Sequence, residues 1–447
     1  SNSPDPSAAC AGPLSYNWSV FAKPPGSNSG VFPAHAAKPV FSPDTVGDYV
    51  FQLIVSDDRL TSVPSYLHIV VQNPLQDVVA SGSAVLWNDS AVDPATGNPT
   101  IAFYQLNNNT NLYDLIFMRC TANCASSSET WVTQTVDTGL LDPSDSLGGS
   151  SEVSLRYLST GAPALAYHDT VNCLTKYAVF SGNTWNTSTI ETTGGAPCGS
   201  IHGEVQLVAV GAGGVPAVAY HSHNPNPVAR YAVCRSAGCS TGVSPVWTYQ
   251  DLDASGNVGH HMTVFTDPVT KQPRAAYQDA NSFLRYATCS GACDHATGTW
   301  TFGTVDSSSN NVGLWNSISV SPAGVPSIAY EDDTFHQIKL ARCTANCSSA
   351  TASTWNVRVL TTLSPSSVNF YPRLQFDASN QAHITYIDPL AKILNYAIEV
   401  GLTGTFNTFQ IDTGVTDGHS SFILTPLGST HVTYALTTGL KYYPFGD

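Results

Sequence analysis

Basic residues are scarce: Lys and Arg number 17 against 32 Asp and Glu in 447 residues, a formal net charge of −15 with only 11% of the chain charged. A nucleic-acid partner would meet repulsion rather than a basic footprint, so DNA and RNA are excluded as expected partners. Also missing is any apolar run of the roughly 18 residues that a membrane helix needs, which excludes a helical membrane span. No apolar period of 3.6 residues runs far enough to stand out. Short period-2 alternations, separated by clusters of Ser, Thr, Gly and Pro, point instead to an all-β chain. The first residue is Ser1 rather than a Met leading a signal sequence, and the chain reads as a mature or excised piece.

Cysteine, by contrast, is plentiful, with eleven residues. Cys120 and Cys124, Cys234 and Cys239, Cys289 and Cys293, and Cys343 and Cys347 each end one alternating run and open the next. Each pair can staple its own hairpin turn, and such bonds persist only in an oxidising medium. The competing zinc reading requires two pairs to meet with tetrahedral geometry. Disulfides imply an extracellular or cell-surface protein. Cys173 and Cys198 form a fifth expected pair between two loops, which either preorganises a site or simply staples loops. Cys10 is left over.

An internal repeat carries the organisation of the chain. The phrases "PTIAFYQ", "PALAYHD", "PAVAYHS", "PRAAYQD", "PSIAYED", "AHITYID" and "THVTYAL" are seven copies of one pattern, with the aligned aromatic at Phe103, Tyr167, Tyr220, Tyr277, Tyr330, Tyr386 and Tyr434. A second column follows at Phe117, Tyr177, Tyr231, Tyr286, Leu340, Tyr396 and Tyr442, and a third at Trp131, Trp185, Trp247, Trp300, Trp355 and Phe406. Each unit reads as four strands, A to D, the blade of a β-propeller. The seventh unit lacks strand D, while "LQDVVAS", Leu75 to Ser81, aligns with the end of a D strand ahead of the first unit. Supplying it to the seventh would pair both open edges. The expectation is a seven-bladed propeller over 74–447, closed one strand plus three, with the aromatic columns packed between blades.

Residues 1–73 have a different composition. Through the Tyr-x-Trp of Tyr16 to Trp18, Pro43 and Asp44, Gly47 to Tyr49, and Val55-Ser56-Asp57, they resemble the PKD family of immunoglobulin-like modules. The resemblance implies a β-sandwich that lacks its first strand, since family members carry a strand ahead of the segment at which this chain begins. The missing edge would come from a longer chain or another copy, a route to self-assembly into a surface polymer or filament. The later repeats are similar to the degenerate sialidase-type repeats of secreted bacterial surface proteins, of the form xIAYYDxxxxxLKYAxxxxxxW. That resemblance implies the fold and not the activity. The Ser-x-Asp-x-Gly-x-Thr-Trp box survives only in fragments such as "SGNTW" and "TGTW", and no arginine triad for a sialic acid carboxylate can be assembled.

In a propeller the D to A and B to C connections surround one mouth of the central channel. The first kind, including "GSIHGE", "NVGHHM", "NVGLWN", "SVNFYP" and "TDGHSS", brings His202, His260, His261, Trp315, Phe370, Tyr371 and His419 there. The second brings His168, His221, His223, Glu331, Asp332 and His336, with Asp169, Gln278, Asp279, Asp333 and Asp388. Eight of the thirteen histidines converge on this face. Glu204 and Arg373 fall just inside the channel, where they could form a charge pair. A lone His at a strand end is usually a satisfied turn residue, but the convergence makes the mouth a candidate site. Three chemistries compete for it. In glycan recognition for surface adhesion, Trp315 and Tyr371 stack on sugar rings while His, Asp, Glu and Gln bond hydroxyls. In polysaccharide β-elimination, His202 or His261 removes a proton, Tyr371 protonates the leaving oxygen and Arg373 neutralises a uronate carboxylate. In a transition-metal site, the one cofactor considered, His221 and His223 lie on the same side of an extended strand and His202, His260 or His261 completes the set. Glycan binding leads, and no ligand spacing is specific enough to decide alone.

Overall fold

The repeat units fold as their alternation dictates. The computed structural model describes the whole chain apart from residues 1–12, 25–26, 42–46, 58, 72–75, 78–83, 125–128, 144–151, 193–204, 223–226, 309–310, 366–368, 400–403, 416–419, 425–429, 437–438 and 446–447. Among the described residues, seven four-stranded antiparallel sheets follow one another: sheet 1 (85–141), sheet 2 (153–192), sheet 3 (205–253), sheet 4 (260–306), sheet 5 (312–362), sheet 6 (373–413) and sheet 7 (420–445). Sheet 7 takes its fourth strand from Gln76–Asp77, which pairs with Gly439–Phe445 through Lys441↔Asp77 and Tyr442↔Gln76. Each sheet is a meander of strands A to D. The B strands are buried over most of their length, Pro326–Asp332 throughout, because they have a sheet neighbour on either side and packing on both faces. The A strands lie against one another in chain order, and that of sheet 7 lies against that of sheet 1. Such four-stranded antiparallel sheets fit the blades of a propeller.

The aromatic columns do meet between sheets. Phe117–Trp185, Tyr177–Trp247, Tyr231–Trp300, Tyr286–Trp355 and Tyr442–Trp131 pack edge-on with centroids 4.9 to 5.2 Å apart, and the last pair joins sheet 7 to sheet 1. Four disulfides close the C to D hairpins as expected: Cys120–Cys124, Cys234–Cys239, Cys289–Cys293 and Cys343–Cys347. These hairpins also serve the neighbouring sheet. The hydroxyls of Tyr177, Tyr286 and Tyr442 donate to the carbonyls of Cys239, Cys347 and Cys124 at 2.7, 2.9 and 2.7 Å, so each staple fixes an acceptor for the preceding sheet's tyrosine. Cys173 is disulfide-bonded as well. Cys198 and Cys10 lie outside the described residues.

A third link between sheets was not read from the sequence. The first-column tyrosines Tyr167, Tyr277, Tyr330 and Tyr434 donate to Asp137, Asp253, Asp306 and Asp412 of the preceding sheet's D strand at 2.6 to 2.7 Å. In three cases the lysine just before the second column, Lys176, Lys339 or Lys441, binds the same carboxylate. Tyrosine and lysine of one repeat therefore clamp the acid of the repeat before it through charge-assisted bonds, whose burial ranges from the dry Lys339–Asp306 pair to the partly exposed Lys441–Asp412 pair.

The second compact unit consists mainly of Ser1–Leu75. Its strands Ser15–Ala22, Gly47–Ser56 and Ser65–Val71 form an antiparallel sheet with Gly47–Ser56 in the centre, and Val31–Phe32 pairs with Val40–Phe41. Tyr49 and Phe51 are buried and pack on Phe41 at 4.9 and 4.8 Å. Asp57 accepts from the amides of Arg59 and Leu60, forming the turn after Val55-Ser56.

Candidate functional site

The opening "NVGHHM" and its relative "NVGLWN" build the same local device. Val258 and Val312 are buried, and Gly259 and Gly313 have φ of 98° and 90°. A Cβ on Gly259 would approach the backbone of Ala229 to 2.9 Å, and one on Gly313 that of Leu284 to 3.0 Å, so only glycine lets the chain pass this close to its neighbour. The register then slips: His261 and Met262 stand opposite one residue of strand B, as do Trp315 and Asn316, while Trp87 is an extra residue in its own strand A. These are β-bulges, which re-aim a side chain. The first bulged residue is left-handed in each case, with φ of 53° at His261, 44° at Trp315 and 39° at Trp87, and Tyr371 matches at 46°. Bulky residues rarely tolerate this conformation, and such strain gathers at sites where the surrounding packing imposes it.

Four side chains from sheets 1, 4, 5 and 6 thereby meet. Trp315 lies 4.6 Å from Tyr371, 4.4 Å from His261 and 5.7 Å from Trp87, and Trp87 is 6.0 Å from Tyr371, all between ring centroids. Trp315 is only 7% exposed and Tyr371 only 8%. The two rings expected to stack on a sugar thus pack on each other and on Trp87. Trp87 was missed in the sequence, although it stands in the same register column as Trp315. Glu152 was missed for the same reason. It sits one residue before Val153, the partner of Tyr167, just as Glu204 sits one residue before Val205, the partner of Tyr220. Arg373 pairs with Glu152 at 2.8 Å, and Gln206 donates to the other Glu152 oxygen at 3.0 Å. The charge pair expected for Arg373 is thus formed with Glu152. Glu204 lies outside the described residues, as do His202, His223 and His419.

The B to C residues divide by role. His168 and His221 are buried, and His221 packs against the His260 ring at 4.4 Å. Asp332, also expected at the site, is fully buried and ion-paired with Lys339. Asp169, Asp279 and Asp388 accept from the amides of their own turns. Two of the expected metal ligands, His221 and His260, are thus neighbours. Among the described residues no group of three His, Cys, Asp or Glu is arranged to hold a metal ion.

Glu331 has a different character. Burial pushes its pKa up; the amide of Phe370 and the charge of His261 pull it down, and Asp333 and Asp332 push it up again, leaving it at about 7. A carboxyl titrating near neutrality beside a histidine can give or take a proton at working pH. Such a raised acid favours folding below its unfolded pKa, near 4.5, and this contribution is lost as pH rises through about 7. Glu331→Gln keeps an acceptor for Phe370. It is expected to raise stability at about pH 8 by on the order of 3 kcal/mol and to leave it unchanged near pH 4.5, as read by urea titrations at the two pH values.

A concavity lies beyond the aromatic cluster. A cavity of about 840 Å³ runs along the A strands, starting at Asn88, Thr263, Ser317 and Arg373 and reaching the A to B turns at Ser159, Gly211 and Pro268. Its wall carries Asp89, Arg156, Gln206, Gln375 and Ser421. The sequence had put the site at the D to A mouth; this cavity runs from just past that end of the A strands to their A to B turns.

No protein-family model matches the chain, and no curated protein does. Solved structures do. An α-L-arabinanase of Penicillium chrysogenum complexed with arabinobiose is 12% identical over 68% of this chain and 95% of its own, with a TM-score of 0.44. The NanB sialidase of Streptococcus pneumoniae is 10% identical over 98% and 93%, with a TM-score of 0.46. The Aleuria aurantia lectin, a six-bladed β-propeller that recognises fucose, is 12% identical over 76% and 98%, with a TM-score of 0.43.

Proposed function

We propose that this chain is an extracellular glycan-binding protein acting in surface adhesion, built as a PKD-like module over 1–73 and a seven-bladed propeller over 74–447 that Gln76–Asp77 closes one strand plus three. The carrying observation is the axial cavity, about 840 Å³ of space walled by hydroxyl, amide and charged side chains. Its starting residues follow the aromatic cluster within two positions along the chain. Sugars need such dense hydroxyl-matching polarity next to an apolar surface. The disulfides support an oxidising location.

The test is a glycan array followed by recovery of the bound sugar. The expected result is a glycan returned with unchanged mass, and at least about tenfold weaker retention by Ala209→Phe, which fills the cavity wall. An array with no retained glycan, or retention indifferent to Ala209→Phe, removes the reading. The lyase reading keeps one specific support, Glu331 beside His261. It requires an unsaturated product that His261→Ala abolishes.

A further inference from the structure

The repeats allow one junction between sheets to be compared with another. Between sheets 5 and 6, Arg342 donates to both oxygens of Glu399 at 2.9 and 2.6 Å and lies over the Phe376 ring at 5.8 Å. Between sheets 1 and 2 the register places Arg119 where Arg342 stands, since Arg119 pairs with Thr100 two residues before Ala102, and Arg342 with Ser327 two before Ala329. Tyr157 takes the place of Phe376, each being the last paired residue of its strand A. Glu399 has no counterpart: its position, opposite Phe406, is occupied in sheet 2 by Phe180, opposite Trp185.

The consequence is a vacant carboxylate position. Arg119 is exposed, and its guanidinium makes no hydrogen bond or ion pair among the described residues. It lines a cleft of about 280 Å³ with Tyr157, Phe180, Gln134 and Asp93, whereas the cleft at Arg342 and Glu399 holds only about 130 Å³. The guanidinium fork matches a carboxylate through two parallel bonds, as Arg342 demonstrates within the same chain. We infer that the cleft between sheets 1 and 2 binds a carboxylate-bearing sugar, with the acid on Arg119, the ring against Tyr157 and Phe180, and hydroxyls donated to Asp93 and Gln134. Asp93 sets the orientation, because it repels the carboxylate and accepts from hydroxyls. A plain anion would gain only the first of these contacts.

The matched probes are methyl α-D-galacturonoside and methyl α-D-galactoside, which differ only in the carboxylate, titrated into the full chain and followed by NMR. The uronoside is expected to bind at least about tenfold more tightly. Arg119→Gln should remove that preference, and Phe180→Glu should do likewise by restoring the internal carboxylate seen at Glu399. Equal binding of the two sugars, no binding of the uronoside, or a preference that survives both variants overturns the inference. Ala209→Phe, in the axial cavity, should leave the preference untouched, so the two sites fail or stand separately.

Discussion

Lys339→Met should lower the unfolding free energy by about 3–5 kcal/mol, because it leaves two carboxylates in a dry junction without their cation. Lys339 is 7% exposed, and its ammonium lies 2.5 Å from Asp332, 0% exposed, and 3.3 Å from Asp306, 4% exposed. Burial pushes the Asp306 pKa up, but hydrogen bonds from Ser308 and Tyr330 and the charge of Lys339 outweigh it and hold the pKa below the usual value. An acid depressed in this way stabilises the fold above its unfolded pKa and ceases to do so as pH falls through its folded one. The deficit of Lys339→Met should therefore be largest near neutrality and shrink as pH falls, because without its cation the buried Asp306 is pushed up and takes a proton more readily. Urea unfolding followed by tryptophan emission reads it, since seven of the eight tryptophans belong to the larger unit. Lys441→Met is the control. Its pair with Asp412 is 24% and 20% exposed, so water screens both partners and the expected loss is about 1 kcal/mol or less. Equal losses at the two lysines would mean that burial does not set the strength of the clamp.

The two lysines also show why the fold was legible. A repeat protein writes its contacts between units once and copies them, so period-2 strands and three aromatic columns were enough to locate the sheets, their pairings and the four local disulfides. The acid, tyrosine and lysine clamp escaped notice because its acid belongs to the preceding repeat. Asp306 and Lys339 are separated by a whole hairpin, and nothing in either copy alone links them.

The candidate site was less legible, and the reason is backbone conformation. Placing Trp315 and Tyr371 at the mouth was a matter of counting strand ends, but whether a ring faces solvent depends on one φ angle. Sequence rules assign left-handed positions to Gly or Asn. Here Trp87, His261, Trp315 and Tyr371 hold them, the first three at bulges that periodicity does not encode. Aligning the repeats from the tyrosine backward would have found the column, including Trp87 and Glu152.

Trp315→Ala should have an effect of the same size, about 3–5 kcal/mol, as expected for removing a buried indole that its neighbours cannot replace. Those neighbours, Trp87, His261 and Tyr371, lie in or immediately before three other sheets whose strands are fixed by their own pairings, so collapse into the space is restricted. Its Nε1 has no hydrogen-bond partner among the described residues, so no lost hydrogen bond enters the sum and the cost is one of packing. Alanine still carries a Cβ at φ 44°, whereas glycine does not. Trp315→Gly should therefore recover roughly 1 kcal/mol of the loss, a reversal of the usual order that only a left-handed site produces. Tyr371→Ala combined with Trp315→Ala should cost less than the two single losses added, because the rings share one contact at 4.6 Å. A second readout ties the cluster to the titrating acid. Trp315 follows Leu314, the strand partner of Glu331, and its ring rests on His261. Opening this cover admits water to Glu331, so its pKa should fall from about 7 toward the ordinary 4.5. The stability gained by Glu331→Gln at about pH 8 should then be smaller in the Trp315→Ala background than in the wild type. An unchanged gain would show that the desolvation of Glu331 comes from its own strand and not from the aromatic cluster.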